Sequence, residues 1–285
     1  MSLLKFLAAL VLLLGLGAAT VWFYRHYPPP PVPHTAATAA SGTVKLHTIT
    51  VDLRGDADQH AADNGIHVHW LYTQTGIPAL DAQIRHWLGA RCPEGEKPAT
   101  ADSPETCARD FIRFCENNAR GSPPDIPLRC TLEGGTQVAF NQSGLLSITH
   151  SLYTDTGGAH GMPDLGFLNI DLVTDKILAR NDLLNIPDAQ LQALVEQAAR
   201  QLYNLGPEEP LRDAGFFENH IAPTRNIGIR RDGLLFGYQA YEIAPYAAGQ
   251  PQILVPYAKL APYIPSGSPL MRLLPAVISG RQYPT

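Results

Sequence analysis

Charge is scarce in this chain of 285 residues: 16% are charged, the formal net charge is -5, and no long basic run occurs. Phosphate-driven nucleic-acid binding has no electrostatic footprint here, so nucleic acid is not expected as a partner. Catalytic fingerprints are missing as well. No G-x-S-x-G, H-E-x-x-H, phosphate-loop or dinucleotide motif is present, so no cofactor is expected and no residue is nominated as catalytic from a motif. The four cysteines include no C-x-x-C pair, which argues against a thiolate zinc cage. Internal repeats of solenoid or propeller period are absent too. Apolar residues are abundant instead, at 45% of the chain, enough to bury a sizeable core in one large domain or two small ones.

From Phe6 to Tyr24 the chain carries no charge and is rich in Leu, Ala and Val, with Lys5 before it and Arg25 and His26 after it. A helix of this length, at ~1.5 Å per residue, just crosses a hydrocarbon core of ~30 Å, with Trp22 and Tyr24 at the far interface. Residues 6–24 therefore read as a single-pass signal-anchor. A cleaved signal peptide is the competing reading, through the small residues Gly17 and Ala19. Both export the remainder, which places the globular part in the periplasm or otherwise outside the cytoplasm, on the bacterial inner membrane if the anchor is kept. The stretch Tyr27 to Gly42, YPPPPVPHTAATAASG, reads as a stalk: a polyproline spacer followed by flexible small residues.

Cys92, Cys107, Cys115 and Cys130 fall within one short region of a chain that reads as exported, and two disulfides are expected there. A helix starting at Ser103-Pro104-Glu105 and ending at Gly121 would place Cys107 and Cys115 two turns, about 12 Å, apart, too far to pair. Two connectivities remain. Cys92 with Cys107 and Cys115 with Cys130 closes the shorter loops and is preferred over the crossed alternative. Around these cysteines, Val44 to Leu53 and Ile66 to Tyr72 read as strands, and Pro78 to Leu88 as a helix with Leu80, Ile84, Trp87 and Leu88 at helical spacing. His67 and His69 share one strand face, a spacing some zinc sites use. With no third ligand to nominate, a solvated face is the preferred reading and no metal site is assigned.

From Gly135 the texture is strand and turn: TQVAF, NQSG, LLSITHSLY, the loop TDTGGAHGMPD, then FLNIDLV. In the last of these Leu168, Ile170 and Leu172 share a face, and Asn169 and Asp171 point the other way. Pro187 to Leu205 places Leu191, Leu194, Val195, Ala198 and Leu202 in one helical stripe that should pack on the sheet. Asp232-Gly233 between apolar runs predicts a hairpin. The expected fold class is α+β: an antiparallel sheet with a long helix packed on it, preceded by a smaller disulfide-bonded α/β subdomain. The expected divisions are an anchor at 1–26, the stalk at 27–42, the small subdomain at 43–133 and the C-terminal α+β domain at 134–285.

Two segments are unlike ordinary loops: YTDTGGAHG, Tyr153 to Gly161, and YEIAPYAAG, Tyr241 to Gly249. With SGLLSITHSLY before the first and QILVPYAKL after the second, they resemble the extracytoplasmic domain family of the anti-sigma factor RsiV and the peptidoglycan deacetylase PdaC. The resemblance covers about Gly135 to Leu260, and HWLYTQTGIPALDAQIRHWL resembles more loosely the α/β subdomain that precedes it. It implies recognition of a cell-wall-related ligand, with a lysozyme-type muramidase as first candidate and a peptidoglycan fragment as second. The chain departs from both relatives. Only about five residues precede the span, so no sigma factor is expected as partner, and the deacetylase domain has no counterpart.

Gly157 and Gly158 permit a positive φ and close approach, letting the loop present His160. Together with Tyr241, Glu242 and Tyr246, these residues are the ligand-binding candidates. A His160–Glu242 pair could serve a peptidoglycan-acting hydrolase by general acid–base chemistry. The plainer reading gives His160 a hydrogen bond within a loop cluster with Tyr241 and Tyr246, and makes the domain a binding module. A structural role in the envelope is a third alternative.

Overall fold

The computed structural model describes residues 43–55, 65–93, 101–121 and 129–274. The anchor and the stalk lie outside these residues; among the described residues no helix is long and apolar enough to cross a membrane. Six strands form one sheet in chain order: β1 (His47–Gly55), β2 (Gly65–Gln74), β3 (Arg129–Gln142), β4 (Leu145–Asp155), β5 (Met162–Asp171) and β6 (Lys176–Ile177). All neighbours are antiparallel except β2 and β3. A parallel pair needs a crossover connection, and two helices supply it, α1 (Pro78–Gly89) and α2 (Pro104–Gly121).

The strict alternation in β2 has its expected effect. Ile66, Val68, Trp70 and Tyr72 are all buried, and they meet Leu80, Ile84 and Leu88 of α1 and Ala108 and Phe111 of α2 in one core. Asp81 ties down the start of α1 by accepting from the Thr75 and Gly76 amides at 2.6 and 3.0 Å. At α2, Ser103 Oγ accepts the Thr106 amide at 3.2 Å, the cap that the Ser-Pro-Glu start predicts. Both disulfides form with the preferred connectivity. Cys92–Cys107 joins the residues after α1 to α2, and Cys115–Cys130 joins α2 to the start of β3.

A second sheet, β7 (Ile227–Ile229), β8 (Gly233–Gly237) and β9 (Gln252–Pro256), is antiparallel throughout, and the expected hairpin joins its first two strands, turning at Arg231-Asp232 with the Arg230 amide donating to the Gly233 carbonyl at 3.0 Å. The long helix α3 (Asp188–Leu202) buries Leu191, Val195, Ala198 and Ala199 against this smaller sheet, chiefly on β9, rather than against the large one. Leu202 departs from the expected stripe. It is the last helical residue and 54% exposed, because the chain turns away at Tyr203.

The 133/134 boundary falls inside β3, so the six-stranded sheet runs across it. What joins the two sheets is a set of amide side chains along β5. Beyond its short pairing with β6, the edge of β5 meets no further strand among the described residues. Asn226 Oδ1 accepts the Phe167 amide at 2.9 Å, and Gln239 accepts the Leu165 amide at 3.0 Å while donating to the Leu165 carbonyl at 2.7 Å. Unpaired backbone groups in such a place would carry a desolvation cost, and these two side chains remove it. One residue pair further on, buried Asn169 donates to the Ile227 carbonyl at 2.6 Å and accepts from the Ile229 amide at 3.0 Å and from Ser147 Oγ at 2.8 Å. Asn169 and Asp171 do point away from Leu168 and Ile170, Asn169 into the junction with the small sheet and Asp171 onto Arg272 at 2.7 Å.

Candidate functional site

The β4–β5 loop and the β8–β9 loop meet although they lie about eighty residues apart in sequence. His160 stacks on Tyr246 with ring centroids 4.1 Å apart, and Tyr241 packs beside both rings, its centroid 5.5 Å from Tyr246 and 6.2 Å from His160. His160 Nδ1 lies 2.9 Å from the Gly161 carbonyl, and a carbonyl only accepts, so Nδ1 carries the proton. In the neutral ring Nε2 then accepts from the Tyr241 hydroxyl, 3.2 Å away. Tyr246 closes the link by donating to the same Gly161 carbonyl at 2.8 Å.

Two residues outside the sequence-based candidates complete the cluster. Tyr153 Oη accepts the Gly161 amide at 3.2 Å, and a Cβ on Gly161 would sit 2.4 Å from the Tyr153 ring. Only glycine lets that ring close over the loop. The alternation of SLYTD, which turns Ser151 and Tyr153 outward together, was the available signal for Tyr153.

The glycines before His160 divide the work. Gly157 has φ 85°, the left-handed region, and its amide donates to Asp155 Oδ1 at 2.9 Å, a side-chain turn that starts the loop. Gly158 lies outside the left-handed region, and an added Cβ there would meet only the His160 carbonyl at 4.0 Å. Tyr241 has φ 66°, a conformation costing a bulky residue about 1–3 kcal/mol. It sits in a tight turn that Glu242 holds: Glu242 Oε2 accepts the Gln239 amide at 2.7 Å, and the Glu242 amide donates to the Gln239 carbonyl at 3.1 Å. The structure therefore brings His160, Tyr241 and Tyr246 into one cluster, with Glu242 engaged by its own turn.

Beneath the loop a half-buried ion pair and a buried histidine anchor the start of β5. Arg91 grips Asp164 with two bonds of 2.7 Å and donates to the Leu165 carbonyl at 2.7 Å, and its guanidinium lies 5.3 Å from the Trp87 ring centroid. His150, fully buried between Trp70 and Trp87, places Nδ1 3.5 Å from Asp164. Burial holds the His150 pKa below its ordinary value. At Asp164 burial pulls the carboxyl upward, but the His150 imidazole and the Arg91 guanidinium outweigh it and keep the carboxyl below the usual range.

The exposed rings border an uncovered sheet face. Helices α1 and α2 cover one side of the six-stranded sheet, and the small sheet covers β5 and the Ser147 end of β4 on the other. Away from the small sheet that other side is open: His67 and His69 on β2, Glu133 and Gln137 on β3, and Ser151 and Tyr153 on β4 are all exposed. His69 lies 3.7 Å from Asp52 of β1. Among the described residues no group of three or more His, Cys, Asp or Glu side chains is placed to hold a metal ion.

An α+β domain with one half-open sheet face is the class this geometry defines. Residues 181–258 match the model of a family described as Protein of unknown function (DUF3298); the match takes in α3, the small sheet and the YEIAPYAAG loop. Two solved structures are similar in fold. A DUF3298 family member from Bacteroides fragilis has a TM-score of 0.64 at 21% identity, covering 82% of this chain and 98% of that one. A DUF3298 family protein from Pseudomonas aeruginosa has a TM-score of 0.60 at 21% identity, covering 79% and 95%. No curated protein matches the chain.

Proposed function

We propose that this protein is a membrane-anchored binding module of the bacterial envelope, whose domain outside the cytoplasm recognises a cell-wall-related ligand, a peptidoglycan fragment or a lysozyme-type muramidase. One observation carries the reading: His160, Tyr241 and Tyr246, from two distant loops, form a hydrogen-bonded ring cluster at the edge of an uncovered sheet face. Exposed aromatic rings with polar tips, held in place before the ligand arrives, are a favourable recognition surface. The resemblance of the GGAHG and YEIAPYAAG segments to RsiV and PdaC supplies the ligand class. The strain at Tyr241 fits a position held for recognition rather than for stability alone. Glu242, engaged by its own turn, favours binding over hydrolysis by a His160–Glu242 pair.

The test is calorimetry of the purified full chain against a lysozyme-type muramidase and against soluble peptidoglycan fragments, at two salt concentrations. One of the two binds, and Tyr246→Ala weakens that binding by about 2 kcal/mol, the scale of a central aromatic contact. If the muramidase is the ligand, added salt weakens binding, because such proteins are strongly basic and this chain is mildly acidic. Failure of folded protein to bind either would leave the likeness as one of fold alone.

A further inference from the structure

Arg230 is held by two side-chain hydrogen bonds and an aromatic ring, yet among the described residues it meets no carboxylate. Its side chain folds back across β7 at Gly228, where an added Cβ would lie 2.7 Å from Nη1. There Nη2 donates to Thr149 Oγ1 at 2.8 Å, Nη1 donates to the Ile229 carbonyl at 3.1 Å, and the guanidinium lies 5.0 Å from the Phe167 ring centroid. The Tyr257 hydroxyl donates to the Arg230 carbonyl at 3.0 Å and fixes the backbone. Burial pushes the Arg230 pKa down to about 10. Arg91, Arg180 and Arg272 each hold a carboxylate within 2.8 Å. Among the described residues Arg230 forms no ion pair, so a desolvated cation is left with neutral acceptors only, an arrangement that an external anion would relieve.

Its position connects it with the ring cluster. Thr149, Ser151 and Tyr153 project from the same side of β4, and four residues of strand separate Thr149 from Tyr153 by about 13 Å. The guanidinium stands at one end of an open polar strip, with exposed Ser151 between the two and exposed Gln137 paired with Thr149 in the neighbouring strand. The rings of His160, Tyr241 and Tyr246 stand at the other end.

We propose that Arg230 anchors a carboxylate of a ligand that lies along this strip and reaches the His160 ring cluster. This rests on the reading of that face as the binding surface, and it selects between the ligands named for it. A cation at the end of the strip suits the lactyl and stem-peptide carboxylates of a peptidoglycan fragment and disfavours a basic muramidase.

Two measurements on the full chain test it. In the first, the Arg230 Nε–H resonance, assigned through Arg230→Lys, is titrated with acetate and with acetamide; a saturable shift with acetate alone is expected. In the second, a soluble muropeptide with free carboxylates is compared with its methyl ester. The wild-type chain should prefer the free acid by about tenfold or more. Arg230→Gln should abolish that preference, and Thr149→Val, which keeps the charge but removes its clamp, should reduce it, both with unchanged circular dichroism. A preference that survives Arg230→Gln, or a wild-type chain whose Arg230 ignores acetate, overturns the anchor and leaves the binding surface standing. An acetate response without any muropeptide binding supports the anion site and overturns the fragment as its ligand.

Discussion

The two cores of this protein are held together by different means. The first, between the six-stranded sheet and helices α1 and α2, contains both disulfides, with Cys107, Cys115 and Cys130 wholly buried alongside Trp70 and Tyr72. The second, between the small sheet and α3, contains no cysteine and rests on Leu191, Val195, Phe236, Tyr238 and Ile253. The first is built on the helices α1 and α2, of 12 and 18 residues, and its two crosslinks restrict the unfolded chain. In the second the 15-residue amphipathic helix α3 lies against three antiparallel strands, and apolar packing suffices without crosslinks. Two cores in one protein thus show covalent and packing solutions side by side, joined by the amide side chains along β5.

Reduction of both disulfides gives the largest expected effect. Each spans a sequence separation of 15, for which chain entropy predicts about 3 kcal/mol per bridge. Hydrogen exchange should then show protection lost in β1, β2 and α2 and retained in α3 and β8; equal loss everywhere would make the two cores one cooperative unit. Next comes Trp70→Ala, which should cost about 3–5 kcal/mol by urea unfolding, because the side chain is wholly buried. Phe236→Ala, equally buried in the other core, should cost a similar amount, and reduction should add to the first loss more than to the second.

Asn169→Ala tests the joint. It leaves the Ile227 carbonyl without its donor, at about 1–3 kcal/mol, whereas Ile229 keeps a bond from its amide to Ser147 Oγ at 3.2 Å. Two separated unfolding transitions in this variant would show the cores uncoupled; a single shifted transition would show that apolar packing couples them without the amide.

The smallest effect concerns pH and belongs to the first core. His150 is buried with its pKa held below the ordinary 6.5, so the unfolded chain binds a proton that the folded chain refuses. Stability is complete above that value and falls as pH is lowered through it, by at most about 1.4 kcal/mol per pH unit. Asp164, whose pKa is depressed in the fold, adds a second loss below 3.8, where its ion pair with Arg91 is neutralised. Denaturant unfolding between pH 7 and 5 reads the first limb, and His150→Asn should flatten it. An unchanged slope in that variant would assign the acid sensitivity to other groups.

Much of the first core was legible because its signals are local. Period-two alternation from Ile66 to Tyr72, the Ser-Pro-Glu helix start and the spacing of Cys107 and Cys115 each depend only on neighbouring residues. The ring cluster was half legible: the GGAHG and YEIAPYAAG segments were conspicuous, but the sequence suggested Glu242 as a partner and was silent about Gly161. A carboxylate can cap its own turn as readily as it can face a histidine, and sequence does not distinguish the two. The junction along β5 was not legible at all. Asn226, Gln239 and Asn169 look like ordinary polar residues, and nothing local marks an amide that stands in for a strand.

What the sequence determined by itself is the set of elements, the inward faces of β2 and β5, and which cysteines could not pair. These follow from backbone periodicity and helix rise, which act over a few residues. Tertiary structure alone decided that α3 packs on the small sheet, that β3 carries the large sheet across the expected boundary, that His160 meets Tyr241 and Tyr246, and that Arg230 stands over Phe167 with no carboxylate beside it among the described residues. Each of these depends on side chains brought together from residues tens of positions apart, and long-range packing and desolvation, rather than local propensity, choose such partners.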